Sequence, residues 1–515
     1  MEFNSGFEPV IGLEVHGQLS TSAKIFCRCS TKFDSAINSN LCPVCAGYPG
    51  ALPVLNRRAV EFAIRAGLAT GCRINLKSVF ARKNYFYADL PKGYQISQFD
   101  LPICEDGYLD IEYGGSSQKP ETASRKRVRI QRIHMEEDAG KSVHMAGYSL
   151  VNLNRSSVPL IEIVSHPDIC SSDEAGAYLR KLRGVLMYIG VNDGNLQEGS
   201  FRCDANVSVR PIGQKELGTR AEIKNVNSFR FVEKAIDYEI KRQIEVIKSD
   251  GRVIQETRSF DSGKGITYSL RSKEEAHDYR YFPEPDLLPL QLTTAWVEEV
   301  KRGLPELPDQ KRDRYIKELG IPAYDAAVIV SSQSLAYFFE EVVAGLGKAG
   351  YPGEAKLVSN WVMGELLRLM KTSVADPSSA SGHSSDPDDS SESGDSGNEK
   401  KIPFKAQDLA ALIKMIKSGV ISNSIAKTVF EEMFRTGAEP EGIVKEKGLG
   451  QVSDTGAIEA AADRVIAANP EQLAQFKAGK DKLLGFFVGL VMKQMAGKGN
   501  PQIVNEVVKK KLAGA

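Results

Sequence analysis

The sequence carries no excess of charge of either sign: 66 lysines and arginines balance 66 aspartates and glutamates, leaving a formal net charge of zero. Attraction to a polyanion through overall charge is thereby excluded, and any contact with RNA has to come from local basic patches. Long apolar runs are also missing. The longest, Leu483 to Met492, is about half the ~20 residues that a bilayer crossing needs. The opening Met1-Glu-Phe-Asn-Ser-Gly6 has neither a basic n-region nor an apolar h-region, and no transit-like run of Arg and Ser follows. The expectation is a soluble, unexported, cytoplasmic protein with no membrane partner. Cysteine is scarce as well: eight in 515 residues are too few for a disulfide scaffold. Four of them cluster, which in a reducing compartment points to a metal before cross-links.

The chain is long enough for two to four domains of the usual ~100–200 residues. Up to about residue 292 it shows short alternating apolar and polar runs broken by Gly, Pro, Asn and Asp, the pattern of a mostly antiparallel α+β domain. From Ala295 the spacing becomes helical, as in Leu335, Phe338, Phe339, Val342 and Val343. Residues Ser373 to Asn398 are rich in Ser, Asp and Gly and hold no aromatic, so they read as a linker that cannot bury enough apolar surface to order itself. Beyond it Leu409, Leu412, Ile413 and Ile416 mark one amphipathic helix, and Ile425, Val429, Phe430 and Met433 the next. Three more follow, the last ending in Lys509-Lys510-Lys511. The expected division is therefore residues 1–294 as an α+β domain, 295–372 helical, 373–401 linker or insertion, and 402–515 all-helical.

Cys27-Arg-Cys29, twelve residues, then Cys42-Pro-Val-Cys45 forms a C-x-C and C-x-x-C pair of pairs. Four thiolates on one polar loop suit tetrahedral structural zinc and leave no open coordination position. Two unrelated pairs of buried thiols are the blander alternative. Cys72, Cys104, Cys170 and Cys203 stand singly in apolar or strand contexts and read as inert core residues.

Side chains alternate across a strand, so Glu14, His16 and Gln18 share a face opposite Ile11, Leu13 and Val15. The same rule sets Arg202, Asp204, Asn206 and Ser208 opposite Cys203, Ala205 and Val207, and Glu222 and Lys224 opposite Ala221 and Ile223. Taken one at a time, such strands describe a solvated outer face equally well. Glu162 is different, because it is the only charge in Val158-Pro-Leu-Ile-Glu-Ile-Val164 and a carboxylate there is costly to bury without a cation or metal. With the three acids of His134-Met-Glu-Glu-Asp138, the domain offers carboxylates and imidazoles that suit a hard divalent ion and phosphoryl transfer. Three short motifs are set aside. Ala139-Gly-Lys-Ser142 lacks the earlier P-loop glycine, Gly345-Leu-Gly-Lys-Ala-Gly350 follows a helix and no strand, and Gly114-Gly-Ser-Ser117 does not continue as an amidase serine stretch would. No nucleophile and base pair for amide hydrolysis is evident.

Seven segments together carry a resemblance: Glu14-Val-His16, Arg82-Lys-Asn-Tyr-Phe-Tyr87, Tyr94-Gln-Ile-Ser-Gln-Phe-Asp100, His134-Met-Glu-Glu-Asp-Ala-Gly-Lys141, Pro159-Leu-Ile-Glu-Ile-Val164, Arg202-Cys-Asp-Ala-Asn206 and Asp278-Tyr-Arg-Tyr-Phe-Pro-Glu-Pro-Asp286. They resemble the B subunits of the GatCAB aspartyl/glutamyl-tRNA amidotransferases, from about Val10 to the C-terminus, with the Ser/Asp-rich stretch looking like an insertion. The resemblance implies a cradle domain for ATP, Mg²⁺ and the aminoacylated tRNA end, then a helical domain and a tail domain that grips tRNA. It implies partners: an amidase A subunit that frees ammonia from glutamine, a small C subunit, and mischarged Glu-tRNA(Gln) or Asp-tRNA(Asn). The expected reaction is ATP-dependent phosphorylation of the side-chain carboxyl, then amidation. Glu14, His16 and Glu137 are the first expected Mg²⁺ ligands, with Glu136, Glu162 and Asp204 next. Lys83, Arg202, Lys224 and Arg280 are expected around phosphates or the terminal adenosine, and Asn206 and Glu222 join them as expected cofactor-binding residues. Zinc varies in that family, and this sequence keeps all four cysteines. The rival reading is a non-enzymatic, zinc-stapled tRNA-binding adaptor, against which the clustered carboxylates speak.

Overall fold

The computed structural model describes residues 6–114, 123–226, 228–272, 279–372, 402–449, 455–477, 480, 482–495 and 501–514. The Ser373–Asn398 stretch lies outside the described residues. The chain divides into two compact units, Met1–Pro308 and Asp309–Ala515.

The first unit is built on a nine-stranded sheet whose strands are, in chain order, β1 (Phe7–Gln18), β2 (Arg73–Ile74), β3 (Cys104–Tyr113), β4 (Ser124–Glu137), β5 (Pro159–Ser165), β6 (Phe201–Pro211), β7 (Ala221–Val226), β8 (Glu256–Asp261) and β9 (Ile266–Ser272). Across the sheet they run β9-β8-β7-β6-β1-β5-β4-β3-β2. Every pairing is antiparallel except β7 with β8. The mixed sheet followed by helices is the α+β class expected from the sequence.

One face of the sheet is apolar. Ile11, Leu13 and Val15 of β1 and Val207 of β6 are fully buried there, each side chain contributing about 1.5–3 kcal/mol relative to exposure. Three helices cover it: α1 (Arg57–Ala69), α2 (Ser172–Tyr188) and α3 (Phe229–Lys248). Their starts are fixed by side-chain caps, in which Asn56, Ser171 and Ser228 accept from the backbone N–H of Arg58, Glu174 and Phe231. The other face is polar, and a bulge decides what it carries. Relative to β5, β4 holds one extra residue, since Ser165 faces Ile130 while Val164 faces Arg132. Before the bulge Val128 and Ile130 point into the core; after it Ile133 and Met135 do. The phase change turns Arg132, His134 and Glu136 to the polar face. A small three-stranded sheet (Tyr94–Gln98, Phe80–Asn84 and Phe282–Pro283) belongs to the same unit.

The second unit is helical, with two separate cores. One gathers Tyr315, Phe339, Val342, Trp361, Leu409, Ile413 and Phe430. It takes residues from both sides of the Ser373–Asn398 stretch, so a boundary at residue 402 falls inside one core, and a boundary at 294 falls inside the first unit. The other core holds Ile458, Phe487, Val491, Val504 and Val508. Among the described residues no single helix is long and apolar enough to cross a bilayer. The apolar pair Ala323–Val330 and Gln333–Lys348 bends by 119° and spends Ile329, Phe339 and Val342 on the core.

Candidate active site

The antiparallel register lines up one row of polar side chains over four strands: Arg202 of β6 faces His16 of β1, His16 faces Glu162 of β5, and Glu162 faces His134 of β4. A second row, one pleat along, sets Glu14 against Asp204. His16 Nε2 lies 3.2 Å from Glu162, and His134 Nε2 lies 3.6 Å from both Glu136 and Glu162. Asn206 Nδ2 donates to Glu14 at 2.9 Å, and Lys224 Nζ bridges Asp204 at 2.8 Å and Glu222 at 3.0 Å. Of these groups, Glu14, His16, His134, Glu162, Asn206, Glu222 and Lys224 floor a cleft of about 440 Å³. Its walls bring in Lys83, Phe99, Arg132, Arg220, Tyr279 and Tyr281.

Acids and cations are mixed around the cleft, with Glu14, Glu162, Glu222 and Glu256 lining it beside Lys83, Arg132, Arg220 and Lys224. Burial raises the Glu14 carboxyl, and the charges of Glu162 and Glu222 push it further. Burial alone would lower His16, yet its hydrogen bond to Glu162 and that carboxylate's charge raise it to about 9. Burial likewise opposes ionisation of Glu162, but His134, His16 and Lys83 hold it well below the usual carboxylate range. Glu136 is lowered because the hydrogen bond from His134 overcomes burial. Burial works against the charge of Lys83, and the nearby Glu136 and Glu162 carboxylates keep its ammonium above the ordinary value.

His16, Glu136 and Glu162 offer ligand atoms that all lie within 4.8 Å of one another. Opposite oxygens around Mg²⁺ sit about 4.2 Å apart, so one imidazole and two carboxylates fit one ion and leave positions for phosphate oxygens. The ion would take the place of the proton on His16.

Several expected site residues are elsewhere. Glu137 points to the opposite side of β4 and is 1% exposed. Its carboxylate accepts from Lys92 Nζ, from the Ile96 N–H at 2.8 Å and from Ser157 Oγ at 2.5 Å, which commits it to the buried side of the strand. Arg202 is directed at Asp138 (2.9 Å) together with Gln18 (2.7 Å); the guanidinium groups of Arg202 and Arg155 overcome burial and lower Asp138. Arg280 is exposed with φ at 43°, outside the cleft lining. His134 joins the site although it is not among the residues expected there; its position two residues before Glu136 is the signal once the bulge is known. Phe99, Tyr279 and Tyr281 sit inside the motifs quoted above, but nothing local says that they face the acids.

The four cysteines converge as their spacing predicts. Cys27, Cys29, Cys42 and Cys45 place their sulfurs within 4.8 Å of one another, with Cys45 3.9 Å from Cys29 and from Cys42. Tetrahedral zinc with bonds of about 2.3 Å separates its sulfurs by about 3.8 Å. The hydrogen bond from Cys27 lowers the Cys45 thiol to about 4. The fully buried Lys24 supplies a compensating charge, its Nζ 3.5 Å from Cys45 Sγ and 2.8 Å from the Asn40 carbonyl. The set fits a closed structural metal site.

A family model described as the GatB/GatE catalytic domain matches residues 9–298, and one described as a GatB domain matches residues 337–512. The B subunit of the aspartyl/glutamyl-tRNA(Asn/Gln) amidotransferase of Syntrophotalea carbinolica is 55% identical over 511 residues, 99% of each chain. That of Geotalea uraniireducens is 55% identical over 516 residues, covering 99% of this chain and all of the relative. That of Thermodesulfovibrio yellowstonii is 53% identical over 503 residues, 98% of each. The class is thereby defined as a tRNA-dependent amidotransferase of the ligase type. Within it, the chain belongs to the family of B subunits of the aspartyl/glutamyl-tRNA(Asn/Gln) amidotransferases.

Proposed function

We propose that the cleft phosphorylates the side-chain carboxyl of Glu-tRNA(Gln), Asp-tRNA(Asn) or both, with ATP as donor, and hosts the displacement of phosphate by ammonia. The observation that carries this reading is the set of His16, Glu136 and Glu162, within ligand reach of one another, with His16 and Glu162 lining an open cleft. A carboxylate is a poor electrophile, and transfer of the γ-phosphoryl gives it a leaving group. These three residues would hold Mg²⁺, which when bound neutralises charge on the phosphates. Glu14, kept in place by Asn206, extends the same acid set. Lys83 faces the acids from the opposite wall and would neutralise phosphate charge. Lys224, bridged to Asp204 and Glu222, would hold that side of the cleft in one geometry. The four-cysteine cluster would hold zinc as a staple beneath the first unit's loops.

The reading extends to a complex with an amidase A subunit, which supplies ammonia from glutamine, and a small C subunit, with the helical unit holding the tRNA body. The cleft contains no nucleophile and base pair for glutamine hydrolysis among the described residues, which supports that division of labour. The test uses the assembled complex with free ammonia as donor, which bypasses the A subunit. Glu162→Gln removes the charge that would hold the ion, so ATP-dependent amidation should fall by orders of magnitude while glutamine hydrolysis persists. Normal ammonia-dependent amidation by both Glu162→Gln and Glu136→Gln would favour a tRNA-binding adaptor instead.

A further inference from the structure

The wall of the cleft facing the acids is aromatic. Phe99 stacks on Tyr281 with ring centres 4.1 Å apart and planes 5° from parallel. Tyr281 meets Tyr279 edge-on at 6.1 Å, and Tyr279 meets Tyr85 at 6.0 Å. The stack is open to solvent at Phe99, which is 51% exposed. An apolar ring of that size left half in water beside a polar floor has no role in the core, which closes on the other side of the sheet.

The wall is also rigid. Arg82 clamps the segment that follows it with two parallel hydrogen bonds to the buried Glu284, 2.7 and 2.8 Å, and a third to Asp286 at 3.1 Å. Asn84 ties down the aromatic segment itself, its N–H donating to the Tyr279 carbonyl at 2.9 Å and its Nδ2 to the Arg280 carbonyl at 2.8 Å. Between wall and floor stands Lys83, its Nζ 4.9 Å from the Tyr279 ring centre. One cleft thus brings together acids, the cations Lys83, Arg132 and Arg220, and a stacked aromatic pair. That combination matches the parts of a nucleotide: phosphate oxygens toward ion and cations, base toward aromatic rings.

Resting on the function proposed above, we propose that Phe99 and Tyr281, backed by Tyr279, form a stacking site for an adenine ring. Two sources carry that ring, the ATP itself and the 3′-terminal adenosine of the aminoacylated tRNA, and stacking alone serves either.

The experiment uses the assembled complex with free ammonia. Phe99→Leu keeps apolar volume and removes the π face; Phe99→Tyr keeps the face. Stacking of one base on one aromatic ring is worth about 5- to 100-fold in binding. Phe99→Leu should therefore raise one KM by at least about fivefold with kcat little changed, and Phe99→Tyr should restore it. A rise in KM for ATP alone assigns the ring to ATP, and a rise in KM for tRNA alone assigns it to the terminal adenosine. Unchanged values for both, or equal rises in the Leu and Tyr variants, would overturn the site. A measurement on the unaltered complex guards against a variant that misfolds: by calorimetry AMP should bind at least about fivefold tighter than ribose 5-phosphate, and equal affinity would overturn the site. A complex that binds AMP in this way yet catalyses no ATP-dependent amidation would sink the functional reading and leave the stacking site standing.

Discussion

Glu137 stands beside a proposed ion ligand in the chain and has a different job in the fold, which makes Glu137→Gln a sharp test. Its carboxylate and the Lys92 ammonium are 2% and 12% exposed, and the same carboxylate takes the Ile96 N–H and the Ser157 hydroxyl. A glutamine amide offers only one acceptor oxygen, turns N–H donors toward donors and leaves Lys92 unpaired. Breaking a buried pair by removing one partner costs about 3–5 kcal/mol. Unfolding entropy of about 2.1 cal/mol/K per residue over a unit of roughly 300 residues converts that to a fall of about 5–8 °C in melting temperature for the unit Met1–Pro308. The assay is calorimetric melting of the N-terminal transition, paired with calorimetric titration of Mn²⁺ as a stand-in for Mg²⁺. Glu137→Gln should melt low and keep its ion affinity; Glu162→Gln should lose ion affinity. A Glu137→Gln chain that melts like the unaltered protein but no longer binds the ion would refute the placement of Glu137 outside the ion site.

Three further outcomes rest on particular contacts. Protein purified without chelator should carry about one zinc per chain by elemental analysis, Cys45→Ala should abolish it, and Lys24→Met should weaken it by removing the charge 3.5 Å from Cys45. Lys83→Met should keep the melting temperature, because among the described residues its ammonium has no carboxylate within ion-pair reach, while amidation falls by about 100-fold as a charge-stabilising group is lost. In the helical unit, burial would raise Glu340, but the hydrogen bonds from Arg314 and Lys311 hold it below its ordinary 4.5. Its contribution, about 1.5–3 kcal/mol for hydrogen bonds to charged groups, is present above the unfolded value and lost as pH falls through the lower folded one. Denaturant titrations of Glu340→Gln against the unaltered chain should therefore diverge at neutral pH and converge once the pH has fallen below the lowered folded value.

How much of this was legible in the sequence depends on the range of the interaction. Alternation along β1 and β6 is local, and it put Glu14, His16, Asp204 and Asn206 on one face without any tertiary knowledge. The cysteine spacing is local too. The bulge in β4 is not, because whether Ile130 and Ile133 can both be core residues is decided by the register of β5 against them. Without it, Glu136 and Glu137 are indistinguishable neighbours. Arg202 and Gln18 share the polar face as alternation requires, yet both are drawn to Asp138, which lies 64 residues from Arg202 and 120 from Gln18 along the chain. The joining of helices before and after the Ser/Asp-rich stretch into one core is equally beyond periodicity, which finds amphipathic faces but cannot say which of them meet.

The withdrawal of Arg202 from the cleft has a consequence for how the site takes its substrates. With that cation committed to Asp138 and Lys224 committed to Asp204 and Glu222, the acids Glu14, Glu136 and Glu162 are left with the protonated His16, and Lys83, Arg132 and Arg220 stand in the cleft's walls. Burial first, and then the charges of Glu162 and Glu222, raise the Glu14 carboxyl. A phosphate brought directly against these acids is repelled by them, because like charges close together in partly desolvated surroundings repel strongly. One divalent ion on His16, Glu136 and Glu162 adds two charges, releases one proton from His16, and so adds one net positive charge where phosphate oxygens arrive. On the proposed reading the ion lets phosphate oxygens come up to the acids, and ATP is expected to bind more tightly with its metal than without it.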